Sequence, residues 1–200
     1  MHLKVMLLLL TISCNGNDET KVRPAPTSKP EPERGTIPHP SLKGAITKDS
    51  AVSDIRKKAE QINRIPFTES LLLENEDFLE QLPDGGASLT GYFYKGELVK
   101  ISEWTGLSYG VIQRHYYLEN GELFYALETE DYFAVDDASG IDPSRFDQTY
   151  AGDFYFSDGK LFVNTTRGQG RFKKDRNDPE KEFLTASSFY RDLLLEKKKN

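Results

Sequence analysis

Three segments of this chain repeat one pattern: GYFYKGELVKI (91–101), HYYLENGELFYAL (115–127) and DFYFSDGKLFVN (153–164). Each runs through aromatic residues into a two-residue turn ending in Gly, then a charged residue and Leu. The turns are Lys95-Gly96, Asn120-Gly121 and Asp158-Gly159. Asn-Gly and Asp-Gly suit type I′ turns, in which both central residues take positive φ, so the pattern predicts three β-hairpins. Lys-Gly fits that turn less well. Counting outward from the turns pairs Tyr94 with Glu97, Glu119 with Glu122, and Ser157 with Lys160. The next pairs are Phe93/Leu98, Leu118/Leu123 and Phe156/Leu161, three equivalent apolar sites that mark one sheet face as the core. The same count pairs Tyr117 with Phe124 and Tyr155 with Phe162. The opposite face then carries Tyr92, Tyr117, Phe124, Tyr155 and Phe162, and is either partly covered or an exposed aromatic surface. Tyr joins flat apolar area to a polar tip, which makes these five a candidate binding surface for a protein edge or a sugar ring. The turn glycines stand 25 and 38 residues apart, too unevenly for a propeller or solenoid.

The flanks read as helices. Val52, Ile55, Ala59 and Ile62 form one helical stripe across 50–64, which Pro66 ends. Asp178-Pro179-Glu180 supplies a cap, a first-turn proline and an acid at the positive end of the helix dipole. Phe183, Ala186, Tyr190, Leu193 and Leu194 continue as an apolar stripe that packs on the sheet, and Lys197, Lys198 and Lys199 close the helix. A strand is expected over 67–74, a helical turn over 76–82, a turn over 104–109 and a longer excursion over 131–149. The fold class expected is α+β. An antiparallel sheet built mainly from three β-hairpins is flanked by an N-terminal and a C-terminal amphipathic helix, in a single domain spanning 49–200.

Charge is unevenly distributed. The net charge is −6. Residues 1–20 sum to −1, and residues 21–48 carry six Lys/Arg against two Glu, which leaves −9 for residues 49–200. An acidic body repels phosphate backbones, so nucleic acid is not an expected partner. The single cysteine, Cys14, excludes an intramolecular disulfide framework and any CxxC site.

Cys14 ends a short greasy run. Val5 to Ile12 would rise ~12 Å as a helix, too little to cross a ~30 Å hydrocarbon core, but suited to an export signal. Leu10-Thr11-Ile12-Ser13-Cys14 resembles the lipobox of bacterial lipoproteins, with Thr11 where Leu is usual. The resemblance implies a signal peptide over 1–13, cleavage between Ser13 and Cys14, a diacylglycerol thioether on Cys14, and an acyl chain such as palmitate on the new N-terminus. Asn15 after the cysteine favours, by the same resemblance, the outer membrane of the cell envelope, with the periplasmic or surface face left open. Residues 14–48 read as a disordered tether, since Pro24, Pro26, Pro30, Pro32, Pro38 and Pro40 break helices and withhold strand donors. His39 in it reads as solvent-exposed. Asp49-Ser50-Ala51 offers a helix N-cap or an O-glycosylation signal.

Chemistry is sparse. His115 lies on a strand beside Tyr residues, with a structural role favoured over that of a base. No G-x-S-x-G elbow or Ser-x-x-Lys is present. Asp136, Asp137 and Asp142 do not match an EF-hand loop, and Gly168-Gln169-Gly170 lacks the Lys of a phosphate loop. The sequence nominates no catalytic set, no metal ligands and no cofactor. Residues 90–165 loosely resemble hairpin domains of exported bacterial proteins of unassigned activity, which implies a fold and no chemistry. The function expected is that of a membrane-anchored extracytoplasmic lipoprotein whose body binds a protein or glycan. Two alternatives stand beside it: an envelope hydrolase acting on cell-wall or glycan material, and an inhibitor or immunity-type lipoprotein. A pocket holding His115 or paired carboxyls would favour the hydrolase. A projecting acidic 131–149 segment would favour the inhibitor.

Overall fold

Each of the three turns has the backbone its sequence asks for. Lys95, Asn120 and Asp158 sit at φ 52°, 51° and 51°, and Gly96, Gly121 and Gly159 at 87°, 80° and 69°. Positive φ at both central positions gives each hairpin a twist that matches its strands. Lys95 adopts it although Lys pays a steric cost there.

The computed structural model describes residues 48–136, 140–170 and 178–199. The signal segment, Cys14, the tether with His39, and Asp137 lie outside the described residues. Helix α1 (Lys48–Arg64) begins two residues before the expected start and ends before Pro66. The strands are β1 (Glu69–Glu74), β2 (Ala87–Tyr94), β3 (Glu97–Leu107), β4 (Gly110–Glu119), β5 (Glu122–Asp136), β6 (Gly140–Ser157) and β7 (Lys160–Gly168). Helix α2 (Pro179–Lys197) starts from an Asp178 cap, whose side chain accepts a hydrogen bond from the Lys181 N–H. All seven strands form one sheet in the order β1-β2-β3-β4-β5-β6-β7, each antiparallel to the next. The fold is thus α+β, with a mostly antiparallel sheet and two helices.

Three expectations need correction. Residues 104–107 belong to β3, and only Ser108-Tyr109 turn the chain. The stretch 131–149 is paired strand over most of its described length, not a loop. Its Asp, Gly and Pro content hid the alternation of Phe133 and Val135. The third concerns register. Tyr117 pairs with Tyr125 and Tyr155 with Val163, because a bulge follows the first two pairs of each hairpin. Hairpin β2–β3 has the same shift, with Tyr92 opposite Lys100. The unpaired extra residues are Val99, Phe124 and Phe162. A bulge sets two residues of one strand against one of its partner and bends the strand.

The bulges sort the aromatic residues between two cores. One face packs under α2, with Leu89, Phe93, Leu98, Ile101, Tyr116, Leu118, Leu123, Phe154 and Phe156 against Phe183, Tyr190 and Leu194. The other packs under α1, with Tyr117, Phe124, Tyr125 and Tyr155 against Ala59, Val52, Ile55 and Ile62. Helix α2 comes so close at Gly91 that a Cβ there would lie 3.0 Å from a Leu194 methyl.

Phe183 is the centre of the α2 core. It is fully buried, with its ring 4.3 Å from that of Phe154 and 6.0 Å from that of Tyr116. Phe183→Ala should cost about 3–5 kcal/mol, read as a lower midpoint in urea unfolding.

Candidate functional site

The five aromatic residues of the expected binding surface are not a free surface. Tyr117, Phe124 and Tyr155 are buried, and Tyr92 and Phe162 are half-buried. Helix α1 lies across them. Asn63 donates to the Tyr117 hydroxyl at 2.9 Å, Arg56 donates to the Tyr155 hydroxyl, and the Lys58 ammonium sits 5.1 Å over the Phe124 ring. Tyr92 is stacked by Phe67 at 4.9 Å. The physical reason is the amphipathic stripe of α1, which needs an apolar sheet face and finds this one. Clefts of about 830 and 400 Å³ open between neighbouring hairpin tips, because pairing between hairpins begins only at Lys100/Tyr117 and Tyr125/Tyr155.

His115 lies beside this row. Its Nδ1 shares a 2.8 Å hydrogen bond with the Ser102 hydroxyl across the β3–β4 pair. Burial, and then the nearby Lys100 charge, lower its pKa to about 4. Lys100 is itself lowered by burial; its ammonium lies 5.6 and 5.4 Å over the Tyr92 and Tyr117 rings and donates to Asn63. The imidazole is therefore neutral at pH 7, a hydrogen-bonding partner and a weak base.

The α2 face holds a charged constellation that the sequence reading missed. Arg114 spreads its guanidinium over three carboxylates: Glu128 at 2.6 Å, Glu182 at 2.9 Å and Glu103 at 3.8 Å. Glu103 also accepts from the Tyr116 and Tyr190 hydroxyls at 2.8 and 3.1 Å. Burial and then the Glu103 charge hold the Tyr116 pKa well above its ordinary value, and the same causes raise that of Tyr190. The signal in the sequence was charge at core-facing positions of three adjacent strands: Glu103, Arg114 and Glu128 are direct cross-strand neighbours. Their arrangement binds β3, β4, β5 and α2 together.

What remains open is the α1-side face beyond α1. Leu72, Thr90, Ser102 and His115 form one cross-strand row, with Ser88, Trp104 and Gln113 in the next. Leu72 is 55% exposed and Trp104 37%. The face continues into an arm. Strand β5 pairs with β4 only up to Tyr132, and β6 pairs with β7 only from Tyr150. Beyond these points no other strand pairs with β5 or β6 among the described residues, and the Phe133 N–H donates to the Tyr109 carbonyl of the β3–β4 turn at 3.0 Å. Alternation along β5 puts Phe133 and Val135 on the α1 side, and their partners Phe146 and Ile141 join them. The Phe133 and Phe146 rings are 5.1 Å apart. Val135 is 73% exposed, Ile141 54% and Phe146 50%. The opposite side carries Ala134 paired with Asp142, and Tyr132 paired with Asp147. Asp142 accepts from the Ser144 hydroxyl at 2.6 Å, the Ser144 N–H at 3.0 Å and Arg145 at 2.7 Å, which lowers its pKa to about 2. Among the described residues, Asp142 does not belong to any cluster of three metal-ligating side chains.

No family model matches the chain, and neither characterised proteins nor solved structures match it significantly.

Arg114→Ala should destabilise the fold by about 3–5 kcal/mol in urea, since it leaves Glu103 and Glu128 as uncompensated buried charges. Arg114→Lys should recover little of this, because a single ammonium cannot reach three carboxylates at once. His115 gives a pH signature. Its pKa is depressed in the fold relative to 6.5, so its contribution is complete above pH ~6.5 and is lost as pH falls towards 4. The urea midpoint should fall over that window by more than it does in His115→Gln, and NMR titration of the ring should give a midpoint near 4.

Proposed function

We propose that this chain is a lipid-anchored, extracytoplasmic binding protein of the cell envelope. Cys14 carries the anchor, residues 14–48 are the tether, and the body is built mainly on three equivalent hairpins held between two amphipathic helices. Its ligand is a protein. One observation carries the reading: the open α1-side face holds Leu72, Trp104, Val135, Ile141 and Phe146, five of the seven large apolar side chains exposed among the described residues. Apolar exposure gathered on one face marks an interaction surface, whereas isolated exposed residues need no explanation. A glycan is less well served, because the aromatic rings near the hairpin clefts already carry partners, Phe124 beneath Lys58 and Tyr155 beneath Arg56. The acidic β5–β6 arm favours a narrower second reading, an inhibitor or immunity-type lipoprotein whose bound protein is an enzyme or toxin. Diacylation at Cys14 and N-acylation together supply the chains that stable anchoring requires.

Two results test this. Cys14→Ala should move the full chain from the membrane to the soluble fraction; continued membrane association would overturn the anchor. Immobilised Cys14→Ala protein should capture an envelope protein saturably, and adding Leu72→Ser and Trp104→Ser should reduce capture at least about tenfold with unchanged circular dichroism. Unchanged capture would overturn the binding face.

A further inference from the structure

The β5–β6 arm is amphipathic in a way that specifies its partner. Its α1-side face is a ribbon of two apolar cross-strand pairs, Phe133/Phe146 and Val135/Ile141. Asp131 stands on the same face, and Asp142 and Asp147 back the ribbon from the other side of the same two strands, against Arg145, a formal charge of −2 for these four. Asp142 is held in place by Ser144 and Arg145, so the irregular stretch between Asp142 and Phe146 is pre-shaped. A pre-shaped surface binds with less ordering cost. An isolated two-stranded ribbon gains little stability on its own, so half-exposed apolar pairs there are poorly explained by folding.

We propose that the arm lays its apolar ribbon on a partner protein whose receiving surface is apolar and rimmed by Lys or Arg. This rests on the reading of the body as a binding module and names the chemistry of what it binds. Charge decides among the occupants. A second copy would bring two −2 arms together in a body that carries −9 over residues 49–200, and like charges juxtaposed at an interface oppose association. An anionic lipid surface meets the same repulsion. A basic rim converts it into attraction and accelerates encounter.

The test uses full-length Cys14→Ala protein and, as probe, a synthetic seven-residue strand-forming peptide of alternating Leu and Lys. Matched peptides alternate Leu with Glu and Leu with Gln. The fluorescence of Trp104, the single tryptophan, and anisotropy of a labelled peptide report binding. The Lys peptide should bind, weaken about tenfold between low and high salt, and outcompete the Gln peptide, while the Glu peptide should not bind. The triple variant Val135→Ser/Ile141→Ser/Phe146→Ser keeps every charge and should lose binding. Asp142→Asn/Asp147→Asn should weaken it about fivefold. Retained Lys-peptide binding in the triple variant would reduce the effect to bulk charge and overturn the proposal. So would equal binding of the Glu peptide, a dimer in sedimentation that the triple variant abolishes, or co-sedimentation with vesicles of phosphatidylglycerol. If envelope capture is lost in Leu72→Ser/Trp104→Ser but intact in the triple variant, the binding-module reading stands and the arm proposal alone falls.

Discussion

The fold depends on one repeated constraint: a two-residue turn with positive φ, two strand pairs, then a bulge. The turn fixes register, and register decides which side chains face which helix. In each hairpin the second pair, Phe93/Leu98, Leu118/Leu123 or Phe156/Leu161, faces α2. Without the bulge the next residues would alternate strictly, and Tyr125 and Val163 would fall on the α2 side. With it, Phe124 and Tyr125 both serve the α1 core, as do Phe162 and Val163. In the second and third hairpins the inserted residue thus extends a second apolar layer. A sheet covered on two faces needs that layer, and it explains why the sheet carries so many aromatic residues.

Charge is also buried in the α2-side core. Glu103, Arg114 and Glu128 occupy core-facing positions in adjacent strands, where Leu or Ile would be usual. Burying ions is costly, and a hydrophobic triad of similar volume would often serve as well for stability. The arrangement contributes position instead. Arg114 reaches Glu182 in the first turns of α2, while Glu103 takes the Tyr190 hydroxyl further along the same helix. The helix is fixed in both rotation and translation over the sheet, which apolar packing alone specifies less sharply.

Much of the fold was legible because its signals are local. Asn120-Gly121 and Asp158-Gly159 announce their turns, Asp178-Pro179 announces α2, and the Val52-Ile55-Ala59-Ile62 stripe announces α1. What failed was non-local. A bulge has no composition of its own, so pairing counted outward from a turn goes wrong one residue beyond it. The aromatic residues of the α1 core looked like a surface because nothing within their own strands shows that α1 lies on them. The arm looked like a loop because Asp, Gly and Pro dominate its composition, although Phe133 and Val135 alternate as a strand should. The open face could not be read at all, since it is defined by where a helix ends.

That ending follows from dimensions. Both helices run across the strands. Helix α1 passes from Asp153 and Tyr155 on β6 to Lys100 on β3, and α2 from Leu161 on β7 to Glu69 on β1. Seventeen residues of helix extend ~25 Å, enough to cross about five strands at ~4.8 Å each. A helix is only ~10 Å wide, which covers about three residues along a strand. Strands β5 and β6, with 15 and 18 residues, extend far past that band. On the α2 side the excess length is occupied by polar groups, including the half-buried Tyr132, whose hydroxyl donates to the buried Glu130 at 2.7 Å. On the α1 side it carries Phe133, Val135, Ile141 and Phe146, with Trp104 of β3 on the same face. One crossing helix cannot cover that length, so the same geometry that builds the second core also leaves an apolar face exposed among the described residues.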